Sequence, residues 1–275
     1  MNYFQGKKVF ITGGSSGIGR EAAAVLAASG ASVAIFGRDP ARLESARARI
    51  ESKRLSPACL ITAMQMDVSD HGDVEAKIPS AVREFGVPDI LINSAGVGHA
   101  DYFEDISYKK FDEVLKTNLY GTRNVTASLV PFMKDKGGHI VNVSSMLGLI
   151  GLFGYSAYCS SKFALIGFSE CLRSELRRYG IRVSVFCPPE VDTPMTDYMA
   201  NSSPCETRAL VKMNGLMSVE RAARLMLAGI EKKRFLIIPG MLSKSSYVNK
   251  ILNPPLTRLV LDAVVSIAGR MKKTR

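Results

Sequence analysis

Tyr158 and Lys162 stand four residues apart, and Ser145 lies thirteen residues before the tyrosine, in the stretch VNVSSMLGLIGLFGYSAYCSSK. On a helix that spacing puts the phenol and the ammonium on one face. A lysine ammonium beside a phenol favours the phenolate, so the pair is expected to lower the tyrosine pKa. The result would be a proton donor or acceptor usable near neutral pH. By itself Tyr-x-x-x-Lys is a common coincidence. It gains force from the other end of the chain, where KKVFITGGSSGIGREAAAVL reads as strand, glycine-rich turn and helix. One motif can hold a nucleotide, and the other can do acid–base chemistry on a substrate.

The elements that must position these groups alternate short β-branched runs with longer helical segments. That argues for an α/β fold, a doubly wound parallel sheet with helices on both faces. Seven strands are read, at residues 8–11, 32–36, 60–66, 90–92, 140–143, 182–186 and 235–238. Helices are read at 17–29, stopped by Gly30, and at 40–53, opened by Pro40 at the favoured first position. Others run from the Asp70 cap to about Gly86, over 107–133, from the Tyr158 segment to about Tyr179, and over 219–232 behind Ser218.

Residues 1–239 thus read as one nucleotide-binding domain and 240–275 as an appendage. Within the domain, residues 190–217 form a long connection rich in Met, Asn, Ser and Pro, a length typical of lids and binding loops. In the appendage, residues 254–269 put Leu256, Leu259, Val260, Ala263, Val264 and Ile267 on one helical face, and Arg270, Lys272, Lys273 and Arg275 follow. Such a face either packs on the protein or a homo-oligomer partner, or lies in a membrane interface.

Composition sets the outer limits. A chain of 275 residues can bury a substantial core, and 47% apolar with 22% charged residues suits a globular enzyme. No charged-then-apolar leader precedes the first strand, and no run reaches the roughly 18 apolar residues of a spanning helix. Neither a signal peptide nor a transmembrane segment is expected. Cys59, Cys159, Cys171, Cys187 and Cys205 are scattered and lack C-x-x-C, which reads as reduced thiols in a cytoplasmic protein. His71, His99 and His139 are isolated, so no metal site is expected. The net charge of +11 raises nucleic acid and membrane as partners. The basic residues are spread along helices without a stacking-aromatic motif, which argues against nucleic acid. A basic end behind an apolar stretch suits an anionic membrane surface.

The glycine turn has Gly13, Gly17 and Gly19 in a G-x-x-x-G-x-G spacing. Such glycines let backbone N–H groups approach a pyrophosphate at a helix N-terminus, which makes the domain Rossmann-type. At the end of the second strand, where NAD-binding proteins place an acid for the ribose, the chain has Arg38. An arginine there accommodates a 2′-phosphate, so NADP(H) is favoured, with Asp39 keeping NAD open.

Over residues 7–239 the chain resembles the short-chain dehydrogenase/reductase family. TGGSSGIG is similar to that family's cofactor turn, which implies dinucleotide contacts at Gly13, Ser15, Ser16, Gly17, Ile18 and Gly19. Asp67 and Val68 fall at its adenine contact. Asn93-Ser94-Ala95-Gly96 resembles its NNAG element with Ser94 in place of the second Asn, implying contacts at Asn93, Ala95 and Gly96. Asn118, in KTNLYGT, holds the N-x-x-G position, and Ser145, Tyr158 and Lys162 match the catalytic positions. Pro188 to Thr193 resembles the PG-x-x-x-T element, implying cofactor contacts at Pro188, Val191 and Thr193, with Pro189 in place of the glycine. Within the family, GLFGYSAYCSSKFALIGFSECLRSEL, CPPEVDTP and PCETRAL resemble the 3-ketodihydrosphingosine reductases.

What the resemblance implies is reduction of a long-chain lipid ketone, 3-ketodihydrosphingosine, by hydride from NADPH. The enzyme would be cytoplasmic, with peripheral membrane contact through its C-terminal segment. Tyr158 would be the general acid, and Lys162 would lower its pKa and hold the nicotinamide ribose. Ser145 would donate to the carbonyl oxygen, and Asn118 would hold a water linking Lys162 to bulk solvent. Two readings compete. The same residues serve a reductase or dehydrogenase of steroids or retinoids, and the fold alone also serves a catalytically silent nucleotide-sensing scaffold. The intact tetrad argues against the scaffold.

Overall fold

A computed structural model describes residues 3–212 and 215–273. The first half alternates β1 (Lys8–Thr12), α1 (Gly17–Ala28), β2 (Ser32–Gly37), α2 (Pro40–Glu51), β3 (Ile61–Gln65), α3 (His71–Phe85) and β4 (Ile90–Asn93). A long helical stretch follows, made of α4 (Tyr108–Leu115), a π-helical turn (Lys116–Tyr120) and α5 (Gly121–Met133). Then come β5 (Gly138–Val143), α6 (Ser156–Glu175), β6 (Ile181–Phe186), α7 (Pro194–Ser202), α8 (Cys205–Lys212), α9 (Val219–Glu231) and β7 (Leu236–Ile237). The chain closes with α10 (Met241–Leu252) and α11 (Pro254–Lys273).

The seven strands form one sheet, in the order β3-β2-β1-β4-β5-β6-β7, and every pairing is parallel. Parallel strands need both faces covered, so their sequences are apolar runs rather than alternations. Val9, Ile11, Val33 and Ile35 pack under α1 and α9, while Phe10, Phe36 and Leu91 pack under α3 and α5. Phe10 anchors the second layer, with ring centroids 5.3 Å from Phe36 and 5.7 Å from Phe85.

The helix starts follow local signals. Asp39, Asp70, Ser107 and Ser218 each accept a backbone N–H of the first turn, which satisfies donors that the helix itself cannot. Gly180, in the left-handed region at φ 65°, ends the 3₁₀ extension of α6.

Three segments differ from the sequence expectation. The connection 190–217 contains two helices, α7 and α8. Thr193 and Pro194 open the first at its N-cap and N1 positions, a signal that was present in the sequence. The helical stretch 107–133 carries a π turn at its centre, which periodicity does not reveal. The appendage contains an additional helix, α10, which Asn253 separates from α11. The Asn253 side chain accepts from Leu256 N at 3.2 Å, with Pro254 and Pro255 behind it, and the two helices meet at a 118° bend. Of the basic terminal cluster, Arg275 lies outside the described residues, as do the side chains of Lys272 and Lys273.

Candidate active site

The strand order reverses between β1 and β4, and their C-terminal ends therefore open a crevice. Two turns line it. After β1, Gly13 adopts φ +67°, and a Cβ there would stand 2.7 Å from Ala95 N. A Cβ on Gly19 would stand 2.5 Å from Gly13 O, so this turn closes only with hydrogen at both positions. After β4, Ser94 N and Ala95 N both donate to Thr12 Oγ1 at 3.2 Å, which fixes the second turn against the first. Thr12 is a positioning residue that the sequence reading missed.

The crevice suits a dinucleotide. Ser16 is the N-cap of α1, yet its side chain makes no capping bond, which leaves first-turn N–H groups to an anion. Gly17, at φ +51°, lies against Thr193, whose Cγ2 would be 3.3 Å from a Cβ there. The loop after β6 thus meets the cofactor turn across the crevice. Pro188 O accepts from Met146 N at 2.8 Å and ties that loop to the Ser145 segment.

At the far end, Arg38 is exposed just beyond β2. Asp39 turns its carboxylate away to cap α2. Its Oδ1 accepts from Arg42 N at 3.0 Å, and its Oδ2 lies 3.5 Å from Arg42 Nε. Ser15 Oγ lies beside Gly37. Asp67 Oδ1 accepts from Ser69 N and Oγ at 2.9 and 2.7 Å, and Val68 is buried against Gly121.

Asn93 departs from its expected place. Its Nδ2 donates to Thr126 Oγ1 at 3.1 Å and to Asn142 Oδ1 at 2.9 Å, and Asn142 Nδ2 donates to Ser169 Oγ at 2.8 Å. The side chain is therefore inside the protein, in a polar ladder from α5 across β4 and β5 to α6. Ser94 and Gly96 line the crevice in its stead.

The reaction centre gathers Ser145, Tyr158 and Lys162. The Ser145 hydroxyl accepts from Leu147 N at 3.1 Å and lies near the Tyr158 phenol. Lys162 Nζ donates to Val143 O at 2.9 Å and lies 5.5 Å from the Tyr158 ring centroid. The expected lowering of the phenol pKa is not met. Burial pushes the phenol above its ordinary range, and the nearby Ser145 hydroxyl opposes this only in part. Burial also lowers the Lys162 ammonium to about 8. The ammonium is held by a carbonyl and faces the ring, so desolvation outweighs charge at both groups. A phenol kept protonated is the form a general acid requires when a ketone becomes an alkoxide.

Asn118 sits in the π turn and is fully buried. Its Oδ1 accepts from Val97 N at 2.8 Å, and its Nδ2 donates to Val97 O and to Ser161 Oγ, each at 2.9 Å. Both amide protons are committed to the protein. The side chain therefore clamps the loop after β4 to α6, which leaves the backbone carbonyl, bonded by Thr122 Oγ1 at 3.0 Å, as the group of Asn118 with a lone pair to spare for a water.

A cavity of about 370 Å³ extends from Gly13 and Gly17 past Ser145, Tyr158 and Lys162 to the segment 190–217, whose Met195 and Met199 were expected to close over an acyl chain, and on to residues of α10 and α11 that the sequence reading did not assign. Leu147, Leu152, Met195 and Met199 give it apolar walls, Tyr155 and Glu190 add polar groups, and Ser243, Asn249 and Leu261 close it from α10 and α11. Met199 of α7 is buried in a cluster with Tyr155 and Tyr158, so the 190–217 segment roofs the reaction centre. The Lys250 ammonium donates to Leu149 O and pins α10 beside it. The appendage is thus part of the site.

Comparison with known proteins agrees with this geometry. The family described as short chain dehydrogenase matches residues 7–203. A 3-dehydrosphinganine reductase of Danio rerio is 35% identical over 222 residues, covering 80% of this chain and 67% of the relative. A 3-ketodihydrosphingosine reductase of Bos taurus is 35% identical over 221 residues, with the same coverage of 80% and 67%. Among solved structures, a short chain dehydrogenase/reductase from Burkholderia phymatum in complex with NAD is 25% identical. It superposes with a TM-score of 0.81, covering 93% of this chain and 96% of that one.

Proposed function

The chain belongs to the short-chain dehydrogenase family and is an oxidoreductase acting on a CH–OH/ketone pair with a nicotinamide dinucleotide, and we propose that it reduces the ketone of 3-ketodihydrosphingosine with NADPH. One observation carries the choice of a lipid. The cavity continues beyond Tyr158 between apolar side chains and reaches the C-terminal helices. The curated relatives named above support the particular lipid.

When bound, the nicotinamide supplies the hydride. Gly13, Gly17, Gly19 and the free N-terminus of α1 would hold the pyrophosphate. Thr193 and Pro188, which line the crevice, would bound the nicotinamide. Ser145 donates to the carbonyl oxygen as negative charge develops there. Tyr158 donates its phenolic proton to the same oxygen, and Lys162 stands behind the ring with a proton of its own. The test is NADPH oxidation with 3-ketodihydrosphingosine beside steroid, retinal and β-ketoacyl substrates. The sphingoid ketone is expected to be preferred, and a higher kcat/KM for any other class would overturn the assignment.

NADPH over NADH is read from Arg38 and Asp39 together. The acid that would take a ribose hydroxyl is engaged at the cap of α2, while Arg38 stays exposed. Replacing Arg38 by Ala should weaken NADPH binding roughly tenfold or more, a charge-assisted contact, and change NADH binding far less. Fluorescence titration of both cofactors checks this, and equal losses would sink the preference.

The same reading has a cytoplasmic enzyme resting peripherally on an anionic membrane. The face of α11 predicted to be apolar is directed outward, with Leu256, Leu259 and Ile267 exposed, and Met241, Ile251 and Leu252 of α10 are exposed beside it. Lys244 and Arg258 are exposed on the same helices. Among the described residues no single helix is long and apolar enough to cross a membrane, and an exposed apolar face with basic groups on the same helices suits the interface. Replacing Leu252, Leu259 and Ile267 together by Glu should abolish sedimentation with phosphatidylserine vesicles while NADPH binding persists. Vesicle binding equal to the parent's would reject the membrane contact, and a change of assembly would assign the face to an oligomer.

A further inference from the structure

One charged group in the cavity has no task in the chemistry above. Glu190 follows the tandem Pro188-Pro189 and lines the cavity together with Ser145, Tyr155 and Tyr158. Its backbone is pinned, since Glu190 O accepts from Met217 N at 2.9 Å and Val191 bridges to Met217. Two prolines ahead of it restrict the chain further, so the side chain leaves a fixed stem. Among the described residues its carboxylate has no ion pair and no hydrogen-bond partner. The Lys162 ammonium is engaged with Val143 O. A carboxylate taken part-way out of water without a partner carries a desolvation cost. Burial raises its pKa, and its charge raises that of the Tyr155 phenol, which lines the same cavity.

We infer that Glu190 is the subsite for a cation carried next to the reacting carbonyl, the ammonium of a long-chain 2-amino ketone. The inference rests on the proposed substrate, whose primary amine sits on the carbon adjacent to the ketone. It adds what that proposal lacks, a group able to separate a sphingoid ketone from a steroid, a retinoid or a plain fatty ketone. Apolar walls discriminate weakly among chains of similar bulk, whereas a half-buried charge disfavours ligands that leave it unpaired. With the ketone oxygen on Ser145 and Tyr158, an adjacent ammonium stands in the cavity that Glu190 also lines, and the acyl chain is left to the apolar walls.

The test separates this subsite from the reaction. Binding of decylamine and of decanol to the NADPH-saturated protein is measured by calorimetry, for the parent, Glu190→Gln and Glu190→Asp. The parent should prefer the amine by about tenfold or more. Glu190→Gln should collapse that ratio, and Glu190→Asp should keep part of it. Kinetics on 3-ketodihydrosphingosine and its analogue without the amine should show the same collapse in relative kcat/KM. Equal affinities in the parent, or an amine preference that survives in Glu190→Gln, would overturn the inference. A parent that prefers amines but does not turn over the sphingoid ketone would sink the proposed substrate and leave the cation subsite standing.

Discussion

Tyr158→Phe is expected to lower ketone reduction by about 10²–10⁴-fold or more, with dinucleotide affinity little changed. The substitution removes one oxygen from a side chain whose ring is packed with Tyr155 and Met199, so the cavity walls persist. What disappears is the proton placed beside the Ser145 hydroxyl. No other group in the arrangement replaces it. Lys162 lies behind the ring and is bonded to Val143 O, and Asn118 has given both amide protons to Val97 and Ser161. Single-turnover NADPH oxidation measures the loss, and fluorescence titration checks cofactor binding. Activity within a few-fold of the parent would reject Tyr158 as the acid.

Lys162→Met should separate stability from function. Turnover should fall by roughly 10²-fold or more, yet the cofactor-free protein should gain stability at neutral pH. The cause is the depressed ammonium. Its pKa is about 8 in the fold against 10.5 in the ordinary state. Below about 8 it is charged both folded and unfolded, and the cost of burying that charge is fully present. Between the two values the folded protein gives up the proton first, the unfolded chain binds more protons, and stability rises with pH. Above both values the cost is gone. At neutral pH it is on the order of 3 kcal/mol, offset by the bond to Val143 O. Urea denaturation at pH 7, 9 and 10.5 should show a rising contribution in the parent that the Met variant lacks. Identical pH slopes in the two proteins would sink the argument. A lysine that destabilises its own fold is explained by its place in the site, where local rules are broken at a cost borne elsewhere.

Much of the fold was legible because its signals are local. β-branched runs separated by capped helices specify a parallel sheet, and all seven strands lie where those runs lie. The cofactor turn was legible for a similar reason. Glycines at 13, 17 and 19 are demanded by φ and by backbone contacts under 3 Å at Gly13 and Gly19, which no other residue type satisfies. Tyr158, Lys162 and Ser145 were legible as chemistry, since their types and spacing already implied a proton donor and a hydrogen-bond partner.

The directions in which side chains point were not legible. Asn93 occupies a position that resembles a cofactor contact, but parallel register sets it between Thr12 and Asn142, and its amide turns into the ladder. Asn118 needed the π turn, which shifts one residue against the helical period and leaves no mark in composition. Leu147, Leu152 and Leu261 are ordinary apolar residues until the fold brings them to one cavity.

The sequence alone therefore determined the sheet, the dinucleotide turn and the identity of the reacting groups, because those depend on backbone preference and intrinsic chemistry. Only the tertiary structure decided their protonation, and whether the C-terminal segment belongs to the site. Lys162 and Tyr158 read as a pair that should draw the phenol down. Desolvation depends on what surrounds a group from distant parts of the chain, and here it moves each group toward its neutral form. For the same reason an appendage that reads as separate becomes a wall. It packs on α8, and Lys250 bonds to Leu149 O across 101 positions, contacts that no local pattern encodes.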